Sequence, residues 1–82
     1  MTEQEIYQYI EMTPFRGREP VFRNTKIRVV HVIEDFAKGM NFDEVLKEHP
    51  QLTPKHLQAA FVYCRAAIKE SDLARIFLSF GF

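Results

Sequence analysis

The chain contains one cysteine, Cys64, and so has no internal disulfide framework; a lone thiol fits a reducing compartment. There is no tryptophan, and the three glycines stand isolated. That spacing excludes the glycine-rich loops that cradle phosphates. No run of about 18 apolar residues occurs, which excludes a transmembrane helix. The start MTEQEIYQYIEM is acidic and lacks the apolar stretch of a signal peptide, so a cytoplasmic location and no membrane partner are expected. Net charge is also missing. Eleven cations balance eleven acids, which counts against nucleic-acid binding by bulk electrostatics. No base and orienting group accompany Cys64 in any recognisable nucleophile pattern, so catalysis is not expected and no cofactor is implied.

What is present is enough for one domain. Eighty-two residues leave no room for a second core, and 46% hydrophobic residues suffice to pack the first. A chain this short buries only about 60% of its unfolded surface, a thin margin that dimerisation often reinforces. The charges are unevenly placed. Residues 1–15 carry Glu3, Glu5 and Glu11 and no cation. Residues 16–28 carry Arg16, Arg18, Arg23, Lys26 and Arg28 against Glu19, a net charge of +4. Residues 29–52 return to −3, and residues 53–82 carry +2. The basic character is concentrated in one short segment.

Thr2 and Glu5 have the spacing of a capping box, and Ile6, Tyr7, Tyr9 and Ile10 follow at helical spacings. They predict an N-terminal helix to about Met12 within a segment 1–14 that Thr13-Pro14 closes. Residues 15–30 read as a short basic β-arm or hairpin, with Val21 on one strand and Ile27 and Val29 on the other. Arg23-Asn24-Thr25 forms its turn, and Pro20 confines the first strand to an edge. Val29, Val32, Ile33, Phe36 and Met40 then mark a helix that Gly39 stops. Asn41 caps a second short helix, Phe42 to about Glu48, with Phe42, Val45 and Leu46 expected inward. Thr53 and Pro54 open a third, with Leu57, Ala60, Phe61, Cys64 and Ile68 on its apolar stripe. Residues 71–82 form an apolar tail. The expected fold is thus mainly α: an N-terminal helix and short β-arm, then a three-helix bundle over residues 31–70 on the helix-turn-helix plan.

Residues Gly17 to about Ala67 resemble the domain of unknown function 433 family. The family's opening strand and turn appear as Gly17-Arg18-Glu19-Pro20-Val21-Phe22-Arg23-Asn24-Thr25-Lys26-Ile27-Arg28-Val29. Its later marks appear as Ala37-Lys38-Gly39, His49-Pro50-Gln51-Leu52-Thr53 and Gln58-Ala59-Ala60-Phe61-Val62-Tyr63. Asn24 stands where the family usually has a turn glycine, and Glu19 is an extra residue before Pro20. The resemblance implies a homeodomain-like or winged helix-turn-helix. It further implies a dimeric VapB-like antitoxin that binds its own promoter and covers a nuclease-like toxin, the alternative being a protein-interaction or dimerisation module with no significant DNA binding.

These readings nominate residues. Arg16, Arg18, Arg23, Lys26 and Arg28 are candidates for gripping DNA phosphates, the alternative being a solvated hairpin paired with acidic helices. Lys55, His56 and Gln58, early on the third helix, are candidates for reading base edges, against an ordinary helix surface. Ala59, Val62, Tyr63 and Ala66 lie opposite the predicted core stripe and suggest a homodimer interface, unless the tail covers them. Ile76, Phe77 and Phe80 make the tail a candidate partner-binding segment, against simple packing within the monomer. His31 and Asp35 are four residues apart, but two ligands without a third make no metal site, so a surface hydrogen bond is expected. His49, where the family usually has tyrosine, and Cys64 are read as packing residues.

Overall fold

A computed structural model describes residues 1–12 and 19–69. The expected N-terminal helix is cut to a single 3₁₀ turn, Glu5–Gln8, followed by a strand β1, Ile10–Met12. Thr2 and Glu5 do bond reciprocally, with the Glu5 N–H 3.3 Å from the Thr2 hydroxyl and the Thr2 N–H 3.4 Å from the Glu5 carboxylate. The capping signal therefore holds while the helix does not propagate. A helix of about eleven residues is marginal in water. Tyrosine and isoleucine suit a pleated strand equally well when a partner edge is offered.

That edge is strand β2, Pro20–Phe22, which pairs antiparallel with β1 in the register Ile10 to Phe22, Glu11 to Val21 and Met12 to Pro20. The expected hairpin survives as a single bridge, Val21 to Arg28, with the Phe22 N–H donating to the Ile27 carbonyl at 3.0 Å. The turn between them is closed by Thr25. Its hydroxyl donates to the Phe22 carbonyl at 2.7 Å and accepts the Ile27 N–H at 3.0 Å. Asn24 adopts φ 60°, the left-handed conformation for which asparagine is the least costly substitute for glycine.

Three helices follow: α1, Val29–Ala37; α2, Phe42–Glu48; and α3, Pro54–Lys69. α1 ends in a Schellman closure. The Gly39 N–H donates to the Phe36 carbonyl and the Met40 N–H to the Asp35 carbonyl, with Gly39 at φ 96°. α2 opens with a complete capping box between Asn41 and Glu44. Among the described residues, no helix is long and apolar enough to cross a membrane.

The core gathers Ile6 and Ile10 from the N-terminal segment, Phe22 from β2, Val29 and Val32 from α1, and Val45 from α2. Leu52 from the following turn and Leu57, Ala59 and Ala60 from α3 complete it. The result is a small, mostly helical unit with the two-stranded sheet laid against α1 and α3.

The Gly39 geometry yields a test. A side chain at φ 96° is strained although no atom lies within 4 Å of where its Cβ would stand. Gly39→Ala should therefore lower stability by about 1 kcal/mol through the backbone alone. Urea denaturation should show a lower midpoint with an unchanged slope.

Candidate interaction surface

α3 is rotated relative to the sequence expectation. Ala59, expected at a subunit interface, is fully buried within the monomer. Val62 and Tyr63 pack partly buried against the chain's own core, and Ala66 is half-buried. Met1, Ile6 and Tyr9 belong to the same packed cluster, so the N-terminal segment covers the side of α3 that a second subunit was expected to meet. Residue spacing alone does not reveal this, because it predicts a separate helix for that segment.

Residues placed in the core by periodicity emerge instead. Phe61 is 42% exposed and Phe42, at the start of α2, is 46% exposed. Their rings stack at 5.9 Å between centroids and 10° between planes. Phe36 of α1 leans on both, at 5.3 Å from Phe42 and 5.1 Å from Phe61. The three rings join all three helices into one apolar face, of which Phe36 is the half-buried floor. Charges of both signs flank it. α2 exposes Asp43, Glu44 and Glu48 beside Lys47, whereas α3 bears Lys55, Arg65 and Lys69 and no carboxylate along its whole length.

Of the arm's three described cations, two are paired. Arg23 donates to the Tyr7 carbonyl and lies 3.1 Å from the Glu11 carboxylate. Arg28 lies 3.1 Å from Glu19. Both pairs are solvent-accessible, and such pairs contribute about 0–1 kcal/mol each. Lys26 is exposed at the turn with no ion pair among the described residues. Arg16 and Arg18, and the tail residues Ile76, Phe77 and Phe80, lie outside the described residues.

On α3, Lys55 and Gln58 are exposed as expected, whereas His56 is half-buried. Its ring is held edge-on between Tyr9, at 5.2 Å, and Phe22, at 5.8 Å. Its Nδ1 accepts the Thr53 N–H at 3.0 Å and lies 2.8 Å from the Thr53 hydroxyl. It occupies the third helical position, where a capping box usually has glutamate or glutamine. Burial lowers its pKa.

Asp35 is also not the surface group expected. It is buried at 6% exposure, and His49 Nε2 donates to its Oδ2 at 3.0 Å. His31 stands against His49 edge-to-face, with ring centroids 5.4 Å apart. The ligating atoms of all three side chains lie within 4.8 Å of one another. His49 is the third group that spacing along α1 alone could not supply, since it arrives from the far end of α2. Cys64 is half-buried on α3, and its burial raises the thiol's pKa. That shift disfavours the reactive thiolate.

Taken together, the fold and surface define a small three-helix domain with an N-terminal β-flap and a half-exposed aromatic face. The sequence profile described as a protein of unknown function, DUF433, matches residues 10–64, and the chain belongs to that family. Neither a curated protein nor a solved structure matches the chain.

The lowered pKa of His56 gives a signed pH dependence. The folded state holds this proton less tightly than the unfolded chain does. Its stabilising contribution is therefore complete above the ordinary value of 6.5 and is lost as pH falls through the lowered one. Melting curves between pH 8 and about pH 5 should show Tm falling on the acid side. His56→Gln, whose amide oxygen can still accept the Thr53 N–H, should flatten that fall. An equally steep acid loss in the variant would assign it to another group.

Proposed function

We propose that this chain is a protein-binding module of the antitoxin kind, which engages a nuclease-like toxin through the Phe36–Phe42–Phe61 face. The observation that carries the reading is the stacked pair Phe42 and Phe61, each more than two-fifths exposed on a chain with so little core to spare. Aromatic residues that sacrifice burial at adjoining helices mark contact surfaces. The acidic start of α2 and the acid-free α3 on either side favour a partner with an amphipathic helix and charges of both signs. The antitoxin role follows from what the family resemblance implies, and the same face is the natural one for homodimer formation.

A second reading, promoter DNA binding through α3, draws on a different observation. Lys55, Gln58, Arg65 and Lys69 are all exposed on a helix without a carboxylate. Against it stand Asp43 and Glu44 in the first turn of α2, where a helix-turn-helix brings its first helix to the backbone. The occupation of Arg23 and Arg28 by carboxylates weakens phosphate contact further without barring it, since each pair costs only about 1 kcal/mol to break. Protein binding is therefore the leading function and DNA contact the subsidiary one.

Co-purification of the tagged full chain from its host, followed by a nuclease assay on the recovered complex, separates these readings. The expected result is a small nuclease held inactive by the wild-type chain and released by the double variant Phe42→Ser, Phe61→Ser. Gel shifts over a salt series should show little specific DNA affinity. A tight, salt-sensitive promoter complex abolished by replacing Lys26, Lys55 and Gln58 together would make DNA the primary partner. Sedimentation that finds a stable dimer dissociated by the Phe42/Phe61 variant would assign the face to a second copy.

A further inference from the structure

We infer that His31, Asp35 and His49 form a binding site for one zinc-class divalent ion, tying α1 to the turn between α2 and α3. His31 and Asp35 stand four residues apart on α1 and therefore on one face, one turn above the other. His49, the residue that closes α2, brings its imidazole to the same place. Their ligating atoms already lie within 4.8 Å of one another. A tetrahedral zinc ion with ligands at about 2.1 Å holds them roughly 3.4 Å apart. The His49–Asp35 separation of 3.0 Å meets this closely, and His31, exposed in the first turns of α1, has room to swing inward.

The donor chemistry selects the ion. Two imidazoles and one carboxylate suit zinc, cobalt and nickel, whereas magnesium and calcium favour oxygen donors throughout. Three protein ligands leave the fourth position to water. Burial supports the assignment, because a carboxylate at 6% exposure is costly unless compensated by charge or hydrogen bonds. A dication inserted between Asp35 and His49 would replace their single hydrogen bond with two coordinate bonds. The Nε2 proton of His49 shifts to Nδ1 or leaves to solvent. The side chains so joined come from two helices, so binding would cross-link α1 to the end of α2.

The test uses the full chain without a histidine tag, treated with chelator and then freed of it. Calorimetric titration with Zn²⁺ should show one equivalent bound per chain, and Mg²⁺ should show none. At about a hundredfold excess over Kd, Tm should rise on the order of 10 °C. His31→Gln removes an exposed ring whose edge contact is with His49, so it should lower the metal-free melt only slightly, while weakening zinc at least about tenfold. Cobalt in place of zinc should give visible absorption bands of a low-coordinate site in the wild type and lose them in His31→Gln. Absence of saturable binding, or unchanged zinc affinity in both His31→Gln and His49→Gln, would overturn the assignment. Equal affinity for magnesium would do so as well.

Discussion

Phe22 is fully buried, and its backbone and ring serve four partners at once. Its strand pairs it with Ile10, its N–H reaches the Ile27 carbonyl, its carbonyl takes the Thr25 hydroxyl, and its ring meets the edge of His56. The first of these ties in the N-terminal segment, the next two close the turn that launches α1, and the last sets the start of α3. Loss of a buried phenylalanine ring costs about 3–5 kcal/mol, comparable with the total stability available to a domain this small. The flap, the turn and the first turn of α3 are therefore one cooperative piece.

This arrangement also pairs two cations of the basic arm, Arg23 and Arg28. Laying the N-terminal segment beside β2 brings Glu11 to Arg23, and the turn back toward α1 brings Arg28 to Glu19. Glu11 of the acidic start and Arg23 of the basic arm, which belong to separate electrostatic features in the sequence, are paired in space. Among the described residues, α3 carries three exposed cations, Lys55, Arg65 and Lys69, and no carboxylate.

The helices were legible because their ends are chemically marked. Asn41 with Glu44, Gly39 after Ala37, and Thr53 before Pro54 are local signals whose hydrogen bonds form within one turn. Strand β1 was not legible, since its partner lies ten residues downstream and a capping pair at Thr2 and Glu5 pointed to a helix. With the N-terminal segment taken as a separate helix, a second subunit or the tail is left to cover Ala59 and Tyr63, and periodicity puts Phe61 inside instead. On a helix that is apolar nearly all round, spacing identifies the stripes without saying which one faces inward. The triad had the same limit: His31 and Asp35 are visible at four-residue spacing, whereas His49 depends on how α2 is folded back.

Consecutive residues of α1 now acquire separate duties. Asp35 reaches His49 at the end of α2, and Phe36 reaches Phe42 at its beginning. A seven-residue helix is too short to hold its own orientation by backbone bonds. Anchored at both ends to one turn of α1, with Val45 buried between them, α2 can neither tilt nor slide without breaking a packed contact. Phe61 on α3 completes the aromatic floor from the other side. The exposed rings are thus carried on a helix packed at both ends, which would reduce the conformational entropy lost in any contact they make. Rigidity at the buried Asp35–His49 pair and exposure at Phe42 and Phe61 are two consequences of the same short helix.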